Sequence, residues 1–190
     1  MSKSALVVVD MQRDFCEGGA LAAANTPSLL QPLKNYIDEA RRHGVLIVYT
    51  QDWHPANHSS FKVNGGPWPV HCVANTPGAE LMPPLVAQAG DVVIHKGVGV
   101  DGAAYSGFDE ATLEQQLREK GIDRVGVAGV ATEYCVRATA LDALKAKFET
   151  TMLEDLVRAV QDKDVPTAVA DLKQAGGKLA TSAAWLAATK

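Results

Sequence analysis

"VGVAGVATEYCVRAT", residues 125–139, runs from a near-continuous apolar segment through a turn of small residues into a helical pattern that begins around Cys135. An apolar run without polar alternation is what a strand covered on both faces looks like, since neither side has to meet water. From Tyr134 to Ala146, Val136, Ala140 and Leu144 mark one helical face, which has to pack back over the sheet that the strand joins. Strand, turn and helix in that order make half of a βαβ unit.

The unit repeats. "ALVVVD" (5–10), "VLIVYTQD" (45–52), "DVVIHK" (91–96), "RVGVAGV" (124–130) and "TTMLED" (150–155) read as strands. Helical periodicity falls between them, with Leu29, Leu33, Tyr36, Ile37 and Ala40 ahead of Gly44, and Leu113 and Leu117 between Asp109 and Gly121. Pro27 and Pro32 both suit a first helical turn, so the start of the first helix stays open. A last helix over Pro166–Gln174 precedes a sixth strand near Leu179–Thr181. The alternation predicts an α/β fold: a three-layer αβα sandwich around a central, mainly parallel six-stranded sheet with right-handed crossovers. The chain's 190 residues fit one domain, 1–190. Only the segment of about 53–90, rich in Pro and Gly, breaks the alternation, and a long irregular stretch in a compact domain reads as a functional loop insertion.

Lys and Arg number 18 against 22 Asp and Glu, and no run of like charge suggests a nucleic-acid groove or a membrane-surface helix. Small neutral molecules are the natural partners. The first apolar run is cut by Asp10 and lacks the length and cleavage site of a secretory signal. Every apolar run falls short of the ~20 residues that cross a bilayer. Three cysteines at unpatterned spacing argue for reduced thiols and a cytoplasmic setting.

In an open parallel sheet, ligands bind beyond the carboxyl ends of the strands. The residues ending the apolar runs are Asp10, Asp52 and Lys96, and Cys135 follows its strand by one turn. A cysteine at a helix N-terminus near an ammonium is favoured as thiolate, so Lys96 is expected to lower the pKa of Cys135, with Glu133 opposing it. The other reading of Cys135 is a small buried hydrophobe. Asp10 can take the thiol's proton and return it to a leaving group, or simply cap a turn; Lys96 can hold both charges, or form an ordinary salt bridge. Cys16 and Cys72 read as structural. In "QDWHPANHSSFKVNGGPWPVHCV" (51–73), Asp52 and His54 share a face of extended backbone and His71 returns across a Gly- and Pro-rich loop. One carboxylate and two imidazoles suit Zn, Fe or Mn and leave positions open, with His58 or an oxygen of Ser60 as unassigned fourth donors. The alternative is loop histidines making ordinary hydrogen bonds. His43 and His95 fit capping and packing.

These residues lie in "VVVDMQRDFCEGGAL", "TQDWHPANHSSF", "GGPWPVHCVANTPGAEL", "HKGVGVDGAAYSGF" and "GVATEYCVRATALDA". In that order, the segments resemble the isochorismatase-like cysteine hydrolases and, within them, the nicotinamidase group. The resemblance spans essentially the whole chain, and the metal-site segment discriminates most, because many members outside that group lack its ligands. It implies a catalytic triad of Asp10, Lys96 and Cys135, and a site for one divalent metal ion at Asp52, His54 and His71. Zn is implied first, then Fe or Mn, with no organic cofactor. It further implies a cis peptide at Val130–Ala131, an oxyanion hole from the backbone N–H groups of Ala131 and Cys135, and Phe15, Trp68 and Tyr105 around the substrate ring. The implied activity is hydrolysis of nicotinamide, and of pyrazinamide, through a thioester, serving NAD salvage in the cytoplasm. The implied partner is that small-molecule substrate, with no nucleic acid or membrane, and members often form homo-oligomers. Two alternatives remain at this point: a related amidase acting on a carbamoyl, ureido or other small amide, and a non-catalytic binding protein of the same fold.

Overall fold

In a computed structural model describing residues 3–102 and 104–189, the apolar runs become β1 (Lys3–Val9), β2 (Leu46–Asp52), β3 (Val92–Lys96), β4 (Ile122–Val130), β5 (Glu149–Arg158) and β6 (Lys178–Ala180). They form one sheet in the order β3-β2-β1-β4-β5-β6. Each pairing is parallel, so the sheet is wholly rather than mainly parallel among the described residues. Helices α1 (Pro27–Arg42), α2 (Thr112–Glu119), α3 (Arg137–Lys145) and α4 (Val165–Gln174) supply the crossovers, and α5 (Ser182–Ala187) follows β6.

Alternation along β1 builds the three layers. Leu6 and Val8 meet Leu29, Leu33 and Ile37 of α1 and Trp185 of α5 on one face. Ala5, Val7 and Val9 meet Leu113 and Leu117 of α2, Ala140 and Ala143 of α3 and Leu172 of α4 on the other. β1 and β4 sit in the middle and carry uninterrupted apolar runs because both faces are covered. β3 lies at the edge and alternates instead, leaving Val93 and His95 exposed.

Several boundaries differ from the sequence reading. α1 starts at Pro27, whose missing N–H costs nothing in the first turn, and Pro32 lies inside the helix. It ends where Gly44, at φ +73°, takes the left-handed backbone and returns its N–H to the Arg41 carbonyl. α2 begins three residues after Asp109, which folds back to accept the Ser106 N–H at 2.9 Å. α5 was not anticipated; Thr181 caps it by accepting the Ala184 N–H.

The β2–β3 connection has no crossover helix. Among the described residues it contains only two single 3-10 turns, Lys62–Asn64 and Pro77–Ala79, and is tied by the isolated bridges His54–Val73 and Phe61–Trp68. Within the described residues no helix is long and apolar enough to cross a membrane.

Candidate active site

The carboxyl edge of the sheet gathers the four strand-end residues around one nitrogen. Lys96, at the end of β3, has no solvent exposure, and its Nζ meets Asp10 Oδ2 at 2.9 Å, the Ala104 carbonyl at 2.7 Å and Asp52 Oδ1. An ammonium has three N–H donors: Asp52 Oδ1 and the Ala104 carbonyl take two, while Asp10 Oδ2, at ion-pair distance, accepts no hydrogen bond among the described residues. Cys135 Sγ, 3.7 Å from the same nitrogen, accepts the third. Asp10 takes φ +49° directly after β1; Thr50 Oγ1 donates to its Oδ1 at 2.6 Å. Thr50 was not singled out from sequence.

Burial disfavours the Asp52 carboxylate, but the Lys96 ammonium leads the contacts that outweigh it and hold Asp52 well below the carboxylate range. Burial likewise opposes the Lys96 ammonium, and the two carboxylates overcome it, leaving Lys96 firmly protonated. Asp10 goes the other way: burial raises it, Lys96 only partly offsets that, and Asp52 raises it further. Cys135 is pushed well above the usual thiol range by burial, and the charges of Asp10 and Asp52 with a hydrogen bond to Asp10 outweigh Lys96. Lys96 thus lowers the thiol as expected, but it does not carry the group to a favoured thiolate. Cys135 is held as a thiol facing a carboxylate of raised pKa, an arrangement suited to proton transfer between them.

Two further expectations about this turn change. Cys135 sits in a π turn, Thr132–Val136, whose wider loop carries the Val136 N–H to the Ala131 carbonyl at 3.2 Å; α3 begins only at Arg137. Glu133 turns away from the thiol, its Oε1 accepting the N–H groups of Val160 and Gln161 at 2.9 and 2.8 Å. The Val130–Ala131 peptide is cis, as the resemblance implies.

Asp52, His54 and His71 converge, each offering one ligand atom within 4.8 Å of the others, and all three are buried. His54 Nδ1 bonds the Gly97 carbonyl at 2.9 Å and His71 Nδ1 the Pro69 carbonyl at 2.7 Å. A carbonyl can only accept, so both Nδ1 atoms carry the proton and both Nε2 lone pairs are free, aimed at Asp52 Oδ2 from 3.3 and 3.7 Å. Metal-ligating histidines commonly hold the ring this way, with the other ring N–H donated to a backbone carbonyl. Asp10 and Asp52 against Lys96 also leave the pocket net negative, so the donor set fits a divalent cation in chemistry and in charge. Ser60 N–H and Oγ both engage His58 Nδ1, at 3.2 and 2.7 Å, so the two unassigned donors pair with each other. His58 Nε2 is buried without a hydrogen-bond partner among the described residues.

A cavity of about 370 Å³ joins both groups and is lined by Asp10, Asp52, His54, His71, Ala131 and Cys135. Phe15, Trp68 and Tyr105 line it too. Trp68 Nε1 donates to Tyr105 Oη at 3.1 Å, and the Phe15 ring lies 5.5 Å from His71. Tyr134 completes the aromatic wall, edge-on to Trp68 at 5.5 Å, and was missed although it adjoins the cysteine. His43 caps α1, and His95 stacks flat on Trp53 at 4.1 Å. Cys16 and Cys72 are buried, and burial raises the Cys16 thiol to about 11.

The isochorismatase domain model matches residues 4–184. The nicotinamidase of Escherichia coli (strain K12) is 38% identical over 97% of this chain and 98% of its own length. Among solved structures, the zinc complex of the pyrazinamidase of Pyrococcus horikoshii is 47% identical, with a TM-score of 0.91, covering 94% of this chain and 99% of that one. The nicotinate complex of PnC1 from L. infantum is 39% identical, with a TM-score of 0.85, covering 96% of this chain and 94% of that one.

Proposed function

The chain belongs to the isochorismatase family, and on that premise we propose that it hydrolyses nicotinamide to nicotinate and ammonia, with Cys135 as nucleophile, and accepts pyrazinamide as well. The observation that carries the reading is the Asp52, His54 and His71 cluster in one cavity with Asp10 and Cys135, backed by the buried Lys96 ammonium. Those three ligands would hold a divalent ion, zinc first, given the zinc complex of the P. horikoshii relative; bound there, it supplies an electrophilic seat for a ring nitrogen. Relatives' complexes with nicotinate and nicotinaldehyde support a pyridine ring as occupant. Phe15, Trp68 and Tyr105 pack on that ring and orient the carboxamide toward Cys135.

In this mechanism Asp10 takes the thiol proton as Sγ bonds to the carboxamide carbon. The backbone N–H groups of Ala131 and Cys135 hold the oxyanion. Collapse breaks the carbon–nitrogen bond, Asp10 protonates the departing nitrogen, and ammonia leaves a thioester on Cys135. Asp10 then removes a proton from water, whose oxygen adds to the thioester, and the thiol is expelled with that proton as nicotinate forms. Lys96 keeps Asp52 ionised and offsets part of the burial that raises Asp10. In this reading residues 1–190 act as one domain with 53–90 as its metal-binding insertion, and the product enters NAD salvage in the cytoplasm.

The test is ammonia release from nicotinamide by metal-analysed protein, run beside Cys135→Ala. Release by the parent and none by the variant is the expected result. A folded, metal-loaded parent that releases no ammonia sinks the substrate assignment.

A further inference from the structure

The metal ligand Asp52 sits at the end of a strand, where the ladder no longer holds its backbone on both sides. Gln12 takes over there. Its side chain has no solvent exposure, its Oε1 accepts the Asp52 N–H at 2.8 Å and its Nε2 donates to the Asp52 carbonyl at 2.8 Å. The second Nε2 proton goes to the Ala79 carbonyl at 2.9 Å. The amide orientation is fixed by its partners: an N–H must face the oxygen, and two carbonyls must face the NH₂ group. The main chain of Gln12 adds to this, with its N–H on the Asp10 carbonyl at 2.7 Å and a bridge to Leu81. One residue thereby grips the segments that carry Asp10, Asp52 and the loop after His71.

We infer that Gln12 is the positioning residue of the metal centre: by clamping both backbone groups of Asp52 it aims Oδ2 at His54 and His71 and Oδ1 at Lys96. The inference rests on the metal-site part of the function proposed above, not on its substrate. Partners of this kind typically set metal affinity by 10–100-fold, because an unclamped ligand must be ordered at the moment of binding. Gln51 is the natural control. It is also buried and donates to the same Ala79 carbonyl at 2.9 Å, but its side chain makes no bond to the Asp52 backbone.

The experiment measures zinc dissociation constants by competition with a chromophoric chelator for the parent, Gln12→Met, Gln12→Glu and Gln51→Met, with folding checked by circular dichroism. Gln12→Met keeps the side-chain volume and removes all three bonds. Zinc affinity is expected to fall by about 10–100-fold in Gln12→Met. It falls at least as far in Gln12→Glu, which keeps the acceptor but turns a carboxylate oxygen on two carbonyls, and stays within about 3-fold of the parent in Gln51→Met. Folded Gln12→Met or Gln12→Glu binding zinc as the parent does overturns the inference. An equal loss in Gln51→Met overturns it too, since loop packing would then explain the effect. A parent that binds zinc but leaves nicotinamide intact sinks the substrate reading and leaves the clamp standing; a parent that binds no divalent ion sinks the clamp with the metal site.

Discussion

Replacing Lys96 by methionine removes one charge with little change of volume, so its effect isolates the ion pairs. The ammonium is wholly buried, 2.9 Å from Asp10 and in contact with Asp52. At that distance a unit-charge pair is worth about 6 kcal/mol at an effective dielectric near 20. Part of this is cancelled, because the variant no longer dehydrates an ammonium, and removing one partner of a buried pair typically costs about 3–5 kcal/mol. Against a total stability of ~5–15 kcal/mol, that is a large loss that still leaves a folded fraction to assay. Urea unfolding of chelator-treated Lys96→Met is therefore expected about 3–5 kcal/mol below the parent. A divalent ion restores positive charge to the pocket, so zinc should stabilise the variant more than the parent. Ammonia release at saturating zinc falls by roughly 10²–10⁴-fold, the usual worth of a proton-transfer apparatus. Lys96→Arg keeps the charge, but a planar fork cannot pair with Asp10 while donating to Asp52 and Ala104, so it recovers stability in part and little turnover. A Lys96→Met protein within about 1 kcal/mol of the parent in chelator refutes the reasoning, for the two carboxylates would then not depend on the ammonium.

Gly129→Ala tests the backbone beside the site: Gly129 has φ +108°, and an added Cβ would fall 2.2 Å from the Val9 carbonyl oxygen. Left-handed strain and overpacking should together remove roughly 3 kcal/mol or more, read by urea unfolding; a neutral change would mean that β1 and β4 can separate there. Trp68→Ala removes an aromatic wall and the donor to Tyr105, and should raise KM for nicotinamide about 10-fold, with kcat less affected; an unchanged KM would place the ring elsewhere. Chelation should abolish ammonia release and added zinc, iron or manganese should restore it to different degrees, whereas activity in metal-free protein would favour an amide without a ring nitrogen.

The sequence makes plain what depends on one residue type at one strand end. Asp10, Asp52 and Lys96 stand out because each stops an apolar run, and the histidines because the segment around them is neither strand nor helix. Gln12 and Thr50 are silent, since their roles consist of hydrogen bonds to backbone or carboxylate 40 residues away, and nothing local separates them from surface polar residues. The π turn was read as the first turn of an α-helix because the side-chain pattern is nearly the same, and the Val136-to-Ala131 and Arg137-to-Thr132 bonds reveal the wider loop. Tyr134 had a signal in its place beside the cysteine. The thiol's state differs because the sequence shows Lys96, which does lower the thiol, but not the burial and the two facing carboxylates that raise it.

Why those groups meet at all follows from register. Asp52 pairs with Lys96 and Thr50 with Val9. Along β3, Val92, Ile94 and Lys96 share the buried parity, and along β2 so do Val48, Thr50 and Asp52, on the face that α2, α3 and α4 cover. Cys135 belongs to the same cluster. The charged site is thus the outer end of an apolar layer, its last members exchanged for a carboxylate, an ammonium and a thiol. A slip of one residue between β2 and β3 would send Lys96 to the opposite face, so the hydrophobic pattern that fixes register also fixes the chemistry. Asp10 is the exception to that parity: continuing β1 as a strand would turn it toward α1, because Val9 already points to the other face. Its left-handed backbone, φ +49°, breaks the alternation and brings the carboxylate round to Thr50 and Lys96. The strand must end there for Asp10 to stand beside Cys135.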